Sequence, residues 1–359
     1  MHFWKFKGLS YLKNYFVNKV SDIKTPYSAQ IELTLRCMGK CEFCSIPFIP
    51  HSLKNPEMNT EQVKKIIADI ADLGVVALSF TGGEPTLRED LAELINYAGI
   101  SHNLTTGLAT NGYYLPQLLK KNYLSGLDYI LLSLDFPTRD LHNKLRGINV
   151  FEKVIDSINL AHKMDINVII STNVMKHNLQ FLPEICQMAD KLGCSIELYP
   201  CEDIIRSYNG TQYSANNVEK LIPSLHLWAK VIKRLHKDHK NVLTDLITIE
   251  AIERGGFGGI PKFQDILRCH VASAYLFIRH NGFVDFPCKI NPILSFNALK
   301  YPLSSIYKSP KVIEIMKKHD SFAFCRNCRL GCAIASSMTA KWSTIYEKYI
   351  KSIFRGNLR

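Results

Sequence analysis

The chain has 359 residues, 47% hydrophobic and 21% charged, with a formal net charge of +12 and 11 cysteines. That length and apolar fraction suffice for one barrel of about 210 residues plus a smaller appended unit, and they exclude a disordered or fibrous chain. The positive charge is scattered rather than clustered and no RNA-binding module accompanies it, so no nucleic-acid partner is expected.

In chain order, Phe6, Leu9, Leu12, Phe16, Val17 and Val20 recur at helical spacing among Lys5, Lys7, Lys13 and Lys19, giving an amphipathic segment over residues 1–27. The pattern then alternates strands and helices. Strands are predicted at Ala29–Leu35, Val75–Phe80, Leu104–Thr110, Tyr129–Leu134, Asn167–Asn173 and Ser195–Pro200. Helices are predicted between and after them at Thr60–Leu73 (with Thr60 as cap), Arg88–Tyr97, Leu115–Asn122, Phe151–Lys163, Leu179–Leu192 and Val218–Asp238. Six such βα units over residues 28–240 make an α/β fold, an open, partial (β/α)6 barrel that holds its ligands at the carboxyl ends of the strands. A glycine-rich stretch, Arg254 to Pro261, marks residues 241–262 as a linker. Residues 336–359 repeat the amphipathic pattern with Trp342, Ile345, Tyr346, Tyr349 and Ile353 among Lys341, Lys348, Lys351 and Arg355, so both ends suit a membrane surface or packing on the barrel. No apolar run approaches a membrane span, and the first residues lack a signal-peptide core, so a reducing cytoplasm, with possible peripheral contact at a membrane, is the expected location.

Three cysteines follow the first predicted strand directly. Cys37, Cys41 and Cys44 put three thiols in one short loop and supply no fourth. A structural metal site wants four ligands, whereas an iron–sulfur cluster held by three keeps one iron open to substrate or cofactor. Zinc is the alternative, with His51 seven residues past Cys44 as a fourth ligand. About thirty residues on, the strand Val75–Phe80 runs directly into Thr81-Gly82-Gly83-Glu84-Pro85, where two glycines admit a close approach to the backbone.

With both motifs present the chain resembles the radical S-adenosylmethionine (SAM) superfamily, whose signature is a CxxxCxxC loop and a Gly-Gly-Glu-Pro segment after the next strand. The resemblance implies a [4Fe-4S] cluster on Cys37, Cys41 and Cys44, SAM chelating the fourth iron, and Gly82, Gly83 and Glu84 at the methionyl amine. It also implies a SAM contact from Ser133, and Asn111 and Asn173 are further candidates because they too stand at predicted strand ends. The stretch from Ser133 through Asp135, His142 and Arg146 to Gly147 resembles a Ser-x-Asp and His-(Asp/Asn)-x-x-Arg-Gly pattern of one branch of the superfamily. Each of these polar residues also reads as an ordinary turn or cap residue.

A second group, Cys269, Cys288, Cys325, Cys328 and Cys332, falls in the last third. Asn281-Gly282 between two apolar runs is a strong hairpin signal, and a hairpin there brings Cys269 and Cys288 toward each other. Cys325-Arg-Asn-Cys328 is able to supply the other two thiolates of a four-cysteine site, for iron–sulfur or for zinc. The arrangement over residues 263–335 resembles the Twitch and SPASM extensions that hold auxiliary [4Fe-4S] clusters. Five cysteines suffice for one such cluster and a spare, and the spacing departs from the full SPASM pattern, so a single-cluster extension is expected. Cys186, Cys194 and Cys201 have no companions and read as buried thiols.

The implied activity is reductive cleavage of SAM to a 5′-deoxyadenosyl radical that abstracts hydrogen from a substrate, with a reductant such as flavodoxin or ferredoxin as partner. A small-molecule or lipid substrate is favoured over a peptide, because about 28 residues precede the first strand and leave no room there for a leader-binding domain. Glu197, Tyr199 and Asp135 are candidate pocket residues. A non-catalytic iron–sulfur carrier and a zinc-stapled binding protein are the alternatives, and metal content separates them.

Overall fold

The computed structural model describes residues 3–208, 211–257, 269–318, 321–326 and 328–338, without the side chains of residues 3–9, Cys332 and Met338. Its first half runs α1 (Phe3–Val20), β1 (Ser28–Thr34), α2 (His51–Lys54), α3 (Thr60–Asp72), β2 (Ala77–Gly82), α4 (Leu91–Asn96), β3 (Thr105–Thr110), α5 (Leu115–Lys120), β4 (Tyr129–Ser133), α6 (Arg139–Arg146), α7 (Phe151–His162) and β5 (Asn167–Val174). There follow α8 (Leu182–Lys191), β6 (Ser195–Pro200), β7 (Arg206–Tyr208), β8 (Thr211–Tyr213), α9 (Leu225–Asp238), α10 (Leu246–Glu253), α11 (Val271–Ala274), β9 (Tyr275–Ile278), β10 (Phe283–Phe286), β11 (Leu294–Asn297), α12 (Leu303–Lys308), α13 (Pro310–Lys318) and α14 (Gly331–Met338).

Strands β1 to β6 lie parallel and in sequence order, each joined to the next through helical crossovers. Alternate residues explain why they form. Ile31, Leu33, Leu78, Phe80, Leu108, Ile130, Leu132 and Ile170 are fully buried on the face covered by helices. The intervening positions, among them Gln30, Ser79, Thr81, Tyr129, Ser133, Ser171 and Glu197, are only half-buried on the other face. That opposite face is the concave surface of an open barrel, and its polar residues are available to a ligand. The helices earn their places by the same logic: α3 buries Val63, Ile66, Ile67 and Ile70, and its true cap is Asn59 rather than Thr60. The Asn59 side chain accepts from Gln62 N–H while the Gln62 side chain reaches back, a reciprocal capping box.

The structure departs from the sequence expectation in several places. The parallel strands continue past β1: β9 pairs with it in parallel, Ser28 opposite Tyr275 to Ile31 opposite Ile278, and β10 and β11 follow antiparallel. The cysteine-bearing extension therefore shares the barrel's sheet. The expected linker, 241–262, holds α10, which buries Thr248, Ile249, Ala251 and Ile252, so its described part, up to Phe257, is partly core. The helix expected from Val218 starts only at Leu225, because Pro223 interrupts it and Ser224 caps the new start. Helix α1 forms, but it buries Tyr11, Asn14 and Tyr15 and leaves Phe16, Val17 and Val20 exposed, inverting part of the expected apolar face. Tyr11 stacks on Tyr27 at 4.7 Å and Asn14 donates to the Gly74 carbonyl at 2.6 Å, contacts that an apolar count overlooks. The expected C-terminal helix lies outside the described residues beyond Met338. Among the described residues no helix is long and apolar enough to cross a membrane.

Candidate functional site

The loop carrying Cys37, Cys41 and Cys44 leaves β1 and is gripped from two sides. On one side the end of β2 continues the ladder: Gly83 N–H donates to the Thr34 carbonyl at 2.7 Å and Glu84 N–H to the Arg36 carbonyl at 2.8 Å. A Cβ on Gly82 would stand 2.4 Å from the Thr34 oxygen, and one on Gly83 only 2.2 Å from the Arg36 oxygen. The glycine pair is thus what lets the two backbones touch. On the other side the end of α6 docks on the loop: Lys40 N–H donates to the Arg146 carbonyl at 2.9 Å, and Glu42 N–H to that of Leu145 at 3.4 Å.

The three thiols are half-buried and close enough to influence one another. Burial pushes the Cys37 thiol up to about 12, and the neighbouring Glu84, Cys41 and Cys44 add to this, against a lowering contact from Gly39 N–H. Burial also raises Cys41, against the opposing charge of Arg146. Such thiols stay protonated unless a cation takes the proton's place, which is the behaviour of a metal-binding set. The donors already aimed at the sulfurs suit a thiolate: Gly39 N lies 3.3 Å and Asn111 Nδ2 3.9 Å from Cys37 Sγ, and Arg146 Nη1 lies 3.9 Å from Cys41 Sγ. Three soft donors with hydrogen-bonded sulfurs fit an iron–sulfur cluster. His51 is exposed at the start of α2.

Behind the loop two buried carboxylates organise the strand ends. Glu84 is fully buried, and its Oε1 accepts from Thr86 N, Thr86 Oγ1 and Thr110 Oγ1 at 3.1, 2.6 and 2.7 Å. Its Oε2 accepts from Asn111 N at 2.8 Å. The side chain expected at the SAM amine is therefore engaged in tying β2 to β3, and it is the backbone of Gly82 and Gly83 that follows the cysteine loop. Asp135, also fully buried, accepts from Arg146 Nε at 2.7 Å and Nη2 at 2.5 Å, and from Asn173 N at 2.9 Å. His142 Nδ1 accepts from Asp135 N at 3.2 Å, and burial lowers this imidazole to about 4, so it is neutral. Asp135, His142 and Arg146 form the frame that seats α6 on the cysteine loop. Asp135, expected in a substrate pocket, is spent on that frame.

Ser133 and Asn173 sit at the carboxyl ends of β4 and β5, half-buried, as does Tyr199 at the end of β6. Glu197 lies opposite Ser171 on β5, and the Tyr129 phenol is raised to about 12 by burial and by the carboxylates of Glu197 and Asp128. A group that motif reading missed lies beside the loop. Glu32 on β1 is fully buried and ion-paired with Arg206 of β7, and His280 Nδ1 stands 3.6 Å from its other oxygen. Burial alone would raise Glu32, but Arg206 and His280 outweigh it and hold it at about 2. Arg206 also senses the Cys44 thiol. Glu32 alternates with Gln30 and Thr34 on the polar face of β1, so its being the one charged residue of Ser28–Thr34 was the available signal.

The second cysteine group is also brought together. Cys269, Cys288, Cys325 and Cys328 line one cavity of about 210 Å³ with Glu202, Phe257 and Arg329. Cys269 is raised by burial first and then by its three neighbouring thiols. Cys332 lies on α14 and its side chain falls outside the described residues. This cavity is pinned to the end of β6: Arg329 pairs with Glu202 at 3.3 Å, Gly331 packs under the Tyr199 ring, and Phe257 N–H donates to the Cys328 carbonyl at 3.0 Å. Among the described residues no three acidic, histidine or thiol groups stand at the spacing of a single-ion site. Cys186, Cys194 and Cys201 are buried thiols in the barrel.

Residues 31–189 match the family model described as the Radical SAM superfamily. A curated relative, the AdoMet-dependent heme synthase of Methanosarcina barkeri, is 26% identical over 309 residues, 80% of this chain and 83% of that enzyme. The PqqA peptide cyclase of Bradyrhizobium diazoefficiens is 30% identical over 170 residues, 46% of this chain and 43% of that enzyme. Among solved structures, SuiB of Streptococcus suis bound to S-adenosylmethionine superposes with a TM-score of 0.62 at 18% identity, covering 93% of this chain and 79% of that one. That likeness is one of fold.

Proposed function

This chain is a radical SAM superfamily enzyme, and from that premise we propose that Cys37, Cys41 and Cys44 hold its [4Fe-4S] cluster, with SAM seated against it at the carboxyl ends of the strands. A cluster on those cysteines would supply the electron for reductive cleavage of SAM, the source of a 5′-deoxyadenosyl radical able to take hydrogen from an organic substrate. The observation that supports this most is the grip on the cysteine loop, with the Gly82-Gly83 backbone on one side and the end of α6 on the other. Asn111 steadies the Cys37 sulfur, while Ser133 and Asn173, half-buried at the next two strand ends, would contact SAM. Glu84, Asp135 and Arg146 orient rather than react. Residues 28–240 form the catalytic barrel, and residues 263–335 hold an auxiliary [4Fe-4S] cluster on Cys269, Cys288, Cys325 and Cys328, or with Cys332 replacing one of the last pair.

The substrate reading stays at the level of class. Two of the relatives matched along most of both chains are heme synthases, which supports a small organic molecule. The PqqA peptide cyclases, one of them matched over 74% of this chain and 73% of its own length, support a peptide substrate as the second reading. A one-electron reductant such as a flavodoxin or ferredoxin completes the scheme, and exposed Phe16, Val17 and Val20 beside Lys13 and Lys19 supply a face for peripheral membrane contact. Anaerobic iron–sulfide reconstitution, metal counting, and reduction with dithionite in the presence of SAM test the core of it. About eight irons per chain and 5′-deoxyadenosine are expected. Zinc in place of iron, with no 5′-deoxyadenosine, would overturn it.

A further inference from the structure

We propose that Arg146 is a positioning residue that sets the reduction potential of the cluster on Cys37, Cys41 and Cys44, by holding a guanidinium N–H against the Cys41 sulfur. This rests on the reading above. One residue brackets Cys41 twice: its carbonyl accepts from the adjacent Lys40 N–H at 2.9 Å, and its Nη1 lies 3.9 Å from Cys41 Sγ. The guanidinium is not a surface group that happens to point inward. Arg146 is buried, two of its nitrogens are fixed on Asp135 Oδ2, and its Cζ stands 5.3 Å from the Phe43 ring centre. Asp135 is itself fixed by Asn173 N–H at its other oxygen.

That arrangement uses the geometry of arginine in particular. A planar fork can satisfy a carboxylate with two nitrogens and present the third elsewhere, which a lysine ammonium on a flexible stem does not reproduce. The consequence follows from charge. Reduction adds an electron to a group already negative, so a donor held on a ligating sulfur stabilises the reduced form more than the oxidised one, and the potential rises. In a buried setting this is weakly screened. Cys37 receives neutral donors, from Gly39 and Asn111, whereas Cys41 faces the cationic one. Of the other cations near the loop, Arg206 directs its Nη1 to Glu32 and Arg36 its Nε to Glu57.

The test is a redox titration of the reconstituted full-length chain followed by electron paramagnetic resonance, reading the signal that changes when SAM is added. Arg146→Lys keeps the charge but not the fork. The paired variant Asp135→Asn with Arg146→Met removes both charges and so avoids stranding a buried carboxylate. Both are expected to retain iron near the wild-type count and a similar melting temperature, and to shift the midpoint to more negative potential, the paired variant further. An unchanged midpoint with clusters intact overturns the inference. Loss of the cluster from both variants also overturns it, since the residue would then only hold the loop. A wild-type chain that binds no iron would instead overturn the functional reading itself, so the two failures are distinguishable.

Discussion

Replacing Glu84 by glutamine changes one oxygen to an NH2 group and almost nothing in shape, yet it should be among the most damaging single changes in the chain. Four donors converge on the carboxylate, from Thr86 N, Thr86 Oγ1, Thr110 Oγ1 and Asn111 N. A glutamine offers one acceptor oxygen. If that oxygen keeps the three donors at Oε1, the new NH2 faces Asn111 N–H, which strands two buried donors at about 1–3 kcal/mol each. A loss of about 3 kcal/mol is a large part of the total for a chain whose stability is of order 5–15 kcal/mol. Because Asn111 reaches the Cys37 sulfur and Glu84 N–H is bonded to Arg36, the damage should spread to the cysteine loop and reduce iron retention. Urea unfolding of wild type, Glu84→Gln and Thr110→Val, read by circular dichroism under argon, measures the ordering. Thr110→Val deletes one donor and should cost about 1 kcal/mol. The reasoning assumes an ionised Glu84, although burial lifts its proton affinity against the four donors that lower it. A protonated carboxyl would be mimicked by glutamine, so a Glu84→Gln variant within about 0.5 kcal/mol of wild type would refute the argument.

Alanine at Cys37, Cys41 or Cys44 should abolish 5′-deoxyadenosine formation, whereas alanine at Cys269 or Cys288 should leave much of it while stopping substrate turnover; product analysis with dithionite and SAM checks both. Gly83→Ala would set a methyl 2.2 Å from the Arg36 carbonyl and should prevent cluster assembly, while Gly39→Ala, whose nearest neighbours stand at 3.5 Å, should retain iron; iron counts after reconstitution decide. His142 gives a pH signature. Burial lowers its imidazole from the ordinary 6.5 to about 4, so the unfolded chain takes up a proton that the native state refuses between those values. Stability should be full above pH 6.5 and fall by roughly 3 kcal/mol on acidification to pH 4. His142→Asn, whose side-chain oxygen can still accept from Asp135 N–H, should flatten that slope, and parallel pH curves for the two proteins would count against it.

The barrel strands were legible because their outward residues are a near-continuous apolar series, as in Val75–Phe80, and that pattern needs no knowledge of neighbours. The boundary still moved to Ala77, although Val76 carries the hydrogen bonding one residue further on both sides, donating to the Tyr27 carbonyl and accepting from Thr105 N–H. The hairpin between Cys269 and Cys288 was legible for a different reason: Asn281-Gly282 encodes a turn locally, and Gly282 adopts the positive φ of 81° that such a turn needs. Pairing of β9 with β1 was not legible, because a strand's sequence states which face is buried and not which edge it will meet. Helix α6 was missed on similar grounds. Its buried residues are His142, Leu145 and Arg146, so a search for apolar periodicity sees a polar segment, while the energy that holds it lies in Asp135 and in the backbone of the cysteine loop.

The same distinction separates the readable part of the candidate site from the rest. A ligand set is constrained by atom type, since only a few side chains offer a soft donor, and three of them within eight residues announce themselves. A supporting residue is constrained only by position, because a carbonyl, an amide or a guanidinium can each steady a sulfur. Asp135 and Arg146 sit eleven residues apart in a stretch that resembled a pattern of one branch of the superfamily, and only the turn of the chain between β4 and α6 brings them to bear on Cys41. Glu32, Arg206 and His280 come from three distant segments and carry no local pattern at all. The chemistry of the site is therefore written in its cysteines, and its tuning in the packing that surrounds them.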